Sequence, residues 1–241
     1  MYDWRDEIEG SVIMDEAAIR EAPPAAGQSP SDGQIHRHLF TAIVEHDLAP
    51  GMKLPEDALA ESFGVSRTRI RKVLQQLAHE GVVQLERHRG ATVARPTVQE
   101  ARDLFDVRRI LEGGMVRLLA GRVAARDQAV LRREVESERD AYARQDRRAA
   151  ITLSGAFHLK LARLTGNGTL HAMLRELVAR TSLVIAVHAP ARGPICLCDE
   201  HDELIGAIAG GDADAAARAM EHHLGHIART LALSQEDGPG V

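Results

Sequence analysis

The segment Ser66–Lys72 combines positive side chains with a helical pattern, and this combination suits contact with nucleic acid. It holds four positive charges and no acidic residue, and it opens an amphipathic helix that follows a short helix and a glycine turn. Arginines on the first turns of a helix are poor core material, but they can pair with phosphates and guanine edges. The alternative is a solvated charged face. One sign of charge at the positive end of the helix dipole favours an anion-binding surface.

The residues of this segment have different expected partners on duplex DNA. We expect the helix to enter the major groove by its N-terminal end. Arg67 and Arg71 lie one helical turn apart, and either could pair with guanine or with a phosphate. Arg69 lies off that line and would contact the flanking backbone. Ser66 and Thr68 can donate hydrogen bonds to phosphate.

A basic hairpin turn follows at the distance expected for the wing of a winged helix-turn-helix. Short strands are predicted at 82–86 and 91–94, and the turn between them contains His88, Arg89 and Gly90. We expect this turn to lie in or beside the minor groove, where a glycine lets the backbone approach closely. The trihelical unit and its hairpin therefore predict a DNA-binding domain.

Three histidines in the second half of the chain form another candidate site. His158, His201 and His223 each lie on a predicted helix beside apolar residues. Three imidazoles that converge inside a helical bundle could hold a divalent metal ion. The alternative is ordinary core or surface histidines, because the chain has 12 of them. Sequence spacing alone leaves both interpretations open.

The elements that must position these residues are almost all helical. Apolar periodicity and turn signals predict helices at 33–47, 55–62, 66–79, 98–124, 127–145, 147–165, 167–189, 198–210 and 212–233. The predicted fold class is mainly α, with an N-terminal winged helix-turn-helix (three helices plus a β-hairpin) followed by an all-α helical bundle. We predict a flexible tail at 1–32, a DNA-binding domain at 33–95 and a helical domain at 98–234.

Composition and charge restrict the class of protein. The 241 residues are 44% hydrophobic and carry a net charge of -5, yet the segments 66–72 and 87–95 are locally basic. No apolar run approaches the roughly 18–20 residues that span a bilayer, and the acidic N-terminus is unlike a signal peptide. Cys196 and Cys198 are too close for an ordinary disulfide. We therefore expect a cytoplasmic protein with no membrane partner. Redox or metal sensing by this cysteine pair stays a weaker hypothesis.

The winged segment resembles the GntR family of bacterial transcription regulators. The resemblance covers essentially all of 34–95, and it is carried by Leu54–Ala60, Gly64–Leu74, Leu77, Glu80-Gly81, Arg89-Gly90 and Val93. The family often has proline at the position of Arg69 and glutamate at the position of Lys72. Both departures add positive charge, and they could alter operator preference.

Residues 98–233 are similar to the helical C-terminal domain, of FCD type, of the FadR branch of this family. The matching pieces are Arg108–Glu112, Phe157-His158, Gly166-Asn167, Glu200-His201 and His223-Leu224. Many members bind a metal through an Asp and three His, so the resemblance assigns His158, His201 and His223 to a Zn²⁺ or Ni²⁺ ion. Ser154 stands where that Asp normally lies, and a hydroxyl is a poor neutral ligand. Water or an effector carboxylate would complete the coordination.

The resemblance also implies how the protein works. It predicts a ligand-responsive regulator, expected to be a repressor, that binds double-stranded operator DNA as a homodimer. The helical domain would bind a small organic acid beside Arg108 and Ser154, and would also dimerise. Arg108 could instead form an ion pair with Glu112, one turn later. The alternative function is a metal-dependent hydrolase that uses the three histidines, although no G-x-S-x-G nucleophile motif is present.

Overall fold

The chain folds into two compact units that meet in sequence at the Arg95–Pro96 bond. The structure is a computed structural model that describes residues 29–86, 90–189, 198–231 and 233. Most of the predicted tail at 1–32 therefore lies outside the described residues. The predicted fold class, mainly α with a small hairpin, is confirmed.

The N-terminal unit is a trihelical domain with a two-stranded sheet. Its elements are α1 (Asp32–Val44), α2 (Glu56–Phe63), α3 (Arg67–His79), β1 (Val83–Glu86) and β2 (Gly90–Val93). The strands are antiparallel, with Val83 opposite Val93 and Glu86 opposite Gly90. The unit therefore has the winged arrangement that the sequence predicts.

Local signals set the helix ends of this unit. Ser31 and Gln34 form a capping box at the start of α1, because each side chain accepts a hydrogen bond from the other residue's backbone N–H. The helix ends at Val44 rather than near residue 47, and His46 has a positive φ of 63° just beyond it. Gly64, with φ 62°, ends α2 in the left-handed conformation and turns the chain into α3.

The predicted apolar stripe of α3 lies at the centre of this unit's core. Its buried members are Ile70, Val73, Leu74 and Leu77, and they are joined by Ile35, Leu39, Ile43, Leu59, Val82 and Val93 from the other elements. Burial of this stripe fixes the rotation of α3 about its axis. The opposite side of the helix, which carries the basic residues, therefore faces outward.

The second unit is a bundle of six helices in the described part of the chain. They are α4 (Val98–Leu119), α5 (Ala125–Ala143), α6 (Arg147–Leu164), α7 (Gly168–His188), α8 (Cys198–Gly210) and α9 (Ala213–Thr230). Neighbouring helices pack in the order α4, α9, α8, α5, α6, α7, and α7 packs against α4 again. The helices thus close into a ring, and the side chains that point inward share one interior.

Small residues at two points shape this bundle. Helix α4 ends at Leu119 rather than near residue 124, because Ala120 leaves the helical conformation and Gly121 has φ 69°. A Cβ at Gly155 would lie 2.9 Å from a Val178 methyl carbon, so glycine permits the close packing of α6 on α7. Within the described ranges, no helix has both the length and the apolar character needed to cross a membrane.

Candidate DNA-binding surface and metal centre

The outward side of α3 carries four positive side chains, Arg67, Arg69, Arg71 and Lys72, which we call the basic face. Arg67 and Arg71 are more than half exposed, and both contact acidic residues at the start of α2. Arg71 donates from Nε and Nη2 to the two carboxylate oxygens of Glu56, at 2.9 and 2.7 Å. Arg67 Nε lies 2.8 Å from Asp57 Oδ1.

The other half of the basic face is paired with the start of α1. Arg69 Nε donates to Asp32 Oδ1 at 2.7 Å, and its Nη2 donates to the Pro30 carbonyl oxygen at 2.6 Å. Lys72 Nζ lies 3.1 Å from the second oxygen of the same Asp32 carboxylate. The two residues that depart from the family pattern therefore share one acidic partner.

The basic segment itself holds no acid, and its spacing does not predict these acidic partners, which come from α1 and α2. Hydrogen bonds from Arg69 and Lys72 lower the pKa of Asp32, and a hydrogen bond from Arg71 lowers the pKa of Glu56. Exposed ion pairs of this kind contribute little to stability, because water screens them. Phosphate groups can therefore replace the carboxylates without a large cost in stability.

The described residues include only some of the other predicted DNA contacts. Ser66 occupies the N-cap position of α3, and its side chain makes no capping hydrogen bond. Ser66 and Thr68 are both exposed at the end of α3 that leads the basic face. Gly90 is exposed and has φ 84°, a conformation that favours glycine. His88 and Arg89 lie outside the described residues.

The three predicted histidines converge in the interior of the helical unit. His158, His201 and His223 come from α6, α8 and α9, and each is at most 2% exposed. Their ligand atoms all lie within 4.8 Å of one another. His158 stacks on His223 with ring centroids 5.3 Å apart, and Phe157 stacks on His201 at 4.2 Å. The helix ring therefore brings together residues that are far apart in sequence.

Each of these imidazoles is held by its own buried carboxylate. The Nδ1 contacts are His158 to Glu112 at 2.5 Å, His201 to Glu138 at 2.9 Å and His223 to Glu200 at 2.9 Å. An ionised carboxylate only accepts hydrogen bonds, so each Nδ1 carries the hydrogen and each Nε2 keeps its lone pair. This arrangement is typical of metal sites, where a carboxylate fixes the tautomer and orientation of a ligating histidine.

The facing Nε2 atoms show that this cluster suits a cation. His201 Nε2 and His223 Nε2 are 3.2 Å apart, and neither carries a hydrogen in the tautomers that the carboxylates impose. Burial lowers the pKa of His158, and it lowers the pKa of His223 to about 3. Neutral imidazoles are the form that binds metal ions. Two lone pairs that face each other are best satisfied by a positive ion between them.

Arg108 lies beside this cluster and forms an ion pair with Glu112. This pair was one of the two interpretations of Arg108 from the sequence, and contact with an effector was the other. Arg108 Nε donates to Glu112 Oε1 at 2.6 Å, and both side chains are buried. Burial raises the pKa of Glu112, but the charge of Arg108 and the hydrogen bonds from His158 and Arg108 outweigh burial and bring that pKa to about 2. Arg108 Nη2 is also buried, and it has no hydrogen-bond partner in the described part of the chain. The N–H donors of Nη2 are therefore unused.

Ser154 stands where the family normally has an aspartate ligand. It is half-buried on α6, one turn before His158. Among the described residues, no Asp, Glu or Cys side chain joins the three histidines as a ligand. The protein ligands are therefore all neutral. A divalent ion held by them would keep its full positive charge and open coordination positions.

The sequence motifs did not single out Glu138, nor the roles of Glu112 and Glu200 as histidine partners. A signal existed in α5, where Leu131, Val135, Glu138 and Ala141 form its buried face. A carboxylate at a core position of an amphipathic helix is costly unless it is paired. A carboxylate at such a position therefore predicts a buried hydrogen-bonding partner, but the sequence does not identify that partner.

The cysteine hypothesis receives no support at Cys198, which is buried at the start of α8. Burial raises the pKa of its thiol to about 11, so the reactive thiolate is scarce at neutral pH. Cys196 lies outside the described residues.

Sequence models of two known families match the two units. The model for bacterial regulatory proteins of the gntR family matches residues 32–93, and the FCD domain model matches residues 103–226. An HTH-type transcriptional regulator in an unstable DNA locus of Streptomyces ambofaciens is 32% identical over 79% of this chain and 80% of its own length. The HTH-type transcriptional repressor RspR of Escherichia coli is 26% identical over 84% of this chain and 89% of its own length.

Solved structures give the same result for the fold. A GntR transcriptional regulator from Rhodococcus sp. RHA1 superposes with a TM-score of 0.74 and 24% identity, over 85% of this chain and 99% of that chain. Escherichia coli McbR/YncC superposes with a TM-score of 0.73 and 20% identity, over 83% and 96% of the two chains. At these identities the likeness supports the fold.

Proposed function

Since this chain belongs to the GntR family of bacterial transcription regulators, with an FCD domain as its second unit, we propose how its residues divide the regulator's work. The protein is a ligand-responsive DNA-binding regulator. The comparisons give no support to the hydrolase alternative. Relatives named as repressors favour repression, and a cytoplasmic location stays a prediction.

The basic face of α3 is the proposed operator-contacting surface. Its rotation, fixed by the buried stripe, turns Arg67 and Arg71 outward side by side. Arg71 already binds both oxygens of one carboxylate, the geometry that phosphate also offers. Ser66, Thr68 and Arg69 would contact the phosphate backbone, and the wing at His88, Arg89 and Gly90 would lie in or beside the minor groove.

Single substitutions test this surface. We expect Arg67→Ala and Arg71→Ala each to weaken binding to an operator fragment, by about 1–3 kcal/mol for a base contact. Arg126→Ala, which removes an exposed arginine from the helical unit, is the matched control and should leave affinity unchanged. Gel-shift affinity that is unchanged in both α3 variants would exclude this surface.

The three-histidine cluster is the proposed site of a divalent metal, with Zn²⁺ or Ni²⁺ as candidates. The observation that carries this proposal is the set of Nδ1–carboxylate contacts, which direct three neutral Nε2 atoms to one point. His158, His201 and His223 would hold the ion, and the ion would supply positive charge for an anionic effector. A small organic acid fits this charge, and Arg108 Nη2 and Ser154 would contact it.

Metal analysis and a thermal-shift screen test this assignment together. Purified protein should lose its bound metal in His201→Ala and retain it in His171→Ala, whose histidine lies on α7 outside the cluster. Organic acids should raise the melting temperature of the metal-loaded protein. Arg108→Lys keeps the charge beside Glu112, and it should abolish that shift while metal content is retained. Equal metal content in wild type and His201→Ala would contradict the proposed site.

A homodimer through α4 is the proposed assembly, because two half-sites need two winged domains. Val107, Ile110 and Leu118 form an exposed apolar stripe along α4, and Ile110 is 75% exposed. Ile110→Asp should yield a monomer in sedimentation experiments, whereas Leu85→Asp, at an exposed leucine of β1, should leave the dimer intact.

A further inference from the structure

The start of the described chain is fixed against the basic face. Arg69 donates to both the Pro30 carbonyl oxygen and the Asp32 carboxylate, and Lys72 contacts the same carboxylate. Asp32 is the last acidic residue of an acid-rich N-terminal sequence. The chain that precedes Pro30 therefore enters the domain beside the surface that Arg69 and Lys72 present.

The charge of the chain is distributed unevenly about this point. Residues 1–28 hold seven acidic residues and two arginines, a net charge of -5. The rest of the chain holds 28 acidic and 28 basic residues, so the N-terminal segment accounts for the whole net charge. The basic face holds four positive charges with no acidic residue on its own segment. The two regions are therefore complementary in charge.

Length also permits contact between them. An extended segment of 28 residues can reach roughly 90 Å, whereas α3 has 13 residues and is about 20 Å long. The acids of the segment can consequently reach every positive side chain of the basic face. The contacts of Glu56, Asp57 and Asp32 show that carboxylates already occupy this face.

We propose that residues 1–28 are an internal competitor of DNA, and that their acids bind the basic face in the absence of a duplex. The segment extends the pairing that Asp32 begins. DNA must displace it, so the segment lowers the apparent affinity of every duplex by the same factor. An operator that also offers base contacts binds more tightly at the outset and therefore stays bound where a non-specific duplex does not. This proposal rests on α3 being the DNA-binding surface.

Charge-neutral substitutions in the full chain test the competition. Asp6→Asn, Glu7→Gln and Glu9→Gln together should tighten binding to a random-sequence 30-base-pair duplex about tenfold at 50 mM salt. The matched control neutralises three exposed acids of the helical unit, Asp140→Asn, Glu176→Gln and Glu203→Gln, and should change affinity less than twofold. Equal effects of the two triple variants would overturn the proposal, because only net charge would then matter.

Salt provides a second measurement on the same proteins. Pairing between exposed charges is screened at high ionic strength, so the advantage of the tail variant should shrink below about twofold at 0.3 M salt. An advantage that persists there would also contradict an electrostatic competitor.

Trp4, the single tryptophan of the chain, reports on the segment directly. Quenching of its fluorescence by acrylamide, a neutral quencher, should increase when the random duplex is added, because the displaced segment becomes more accessible. Quenching that is unchanged or reduced by the duplex would overturn the proposal. A different result would show that α3 is not the DNA-binding surface. In that case Arg67→Ala and Arg71→Ala would leave duplex affinity unchanged.

Discussion

The basic face of α3 and the three-histidine cluster both pair nitrogen groups with carboxylates, but they differ in burial. On α3, Arg67 and Arg71 are more than half exposed, so water can replace either partner. In the helical unit, Glu112 and Glu138 are at most 1% exposed, and water cannot replace the bonds they make. The same chemistry therefore has different consequences in the two units.

This difference separates a surface that exchanges partners from a site that is fixed in advance. Exposed ion pairs contribute little to stability, so a phosphate can displace a carboxylate at low cost. A buried charge that loses its partner is strongly destabilising, so the carboxylates around the histidines hold their positions. The first arrangement suits reversible binding of DNA, and the second suits a ligand set with fixed geometry.

The largest expected effect follows from removing one buried charge. Glu112→Gln leaves the Arg108 guanidinium buried without its counter-charge, so it should lower the free energy of unfolding of the metal-free protein by about 3–5 kcal/mol. Denaturant unfolding, monitored on the helical transition, measures this loss. A change in the free energy of unfolding below about 1 kcal/mol would show that the Arg108–Glu112 pair behaves like an exposed ion pair. The two regions would then not differ in this respect.

A smaller effect is expected at the carboxylate that orients His201. Glu138→Gln keeps the shape of the side chain but reduces the basicity that it confers on the imidazole, so Zn²⁺ affinity should fall about 10- to 100-fold. Competition with a chromophoric chelator measures it. Glu134→Gln, one turn earlier on α5 and paired with Lys160 at the surface, is the control. A similar loss in both variants would argue against a specific role for Glu138.

The smallest effect on stability is expected on the exposed surface. Glu56→Gln removes the partner of Arg71, yet the free energy of unfolding should change by less than about 1 kcal/mol. The same change should tighten low-salt binding to duplex DNA a few-fold, because two arginines lose an intramolecular competitor. Thermal unfolding and fluorescence anisotropy provide the two measurements. Weaker DNA binding would instead mean that Glu56 positions the arginines rather than competing for them.

Much of the fold follows from local sequence signals. The apolar spacing of Ile70, Val73, Leu74 and Leu77 predicts both α3 and its buried side, and burial of that side explains why the basic residues face outward. Asn167, of a residue type favoured at the N-cap, caps α7 by accepting a hydrogen bond from the Leu170 N–H. Helix ends were less predictable, because the backbone conformation of one residue can decide where a helix ends. The positive φ of His46, just beyond α1, is an example.

The sequence by itself determined the helices, the hairpin and which side of each helix is apolar. These features depend on residues within a few positions of one another. It also singled out the three histidines and the basic segment. Only the tertiary structure decided the partners. His201 meets Glu138 across 63 positions, and Arg69 meets Asp32 across 37. Such pairs depend on which helices pack together and at what rotation, and local periodicity does not encode that information.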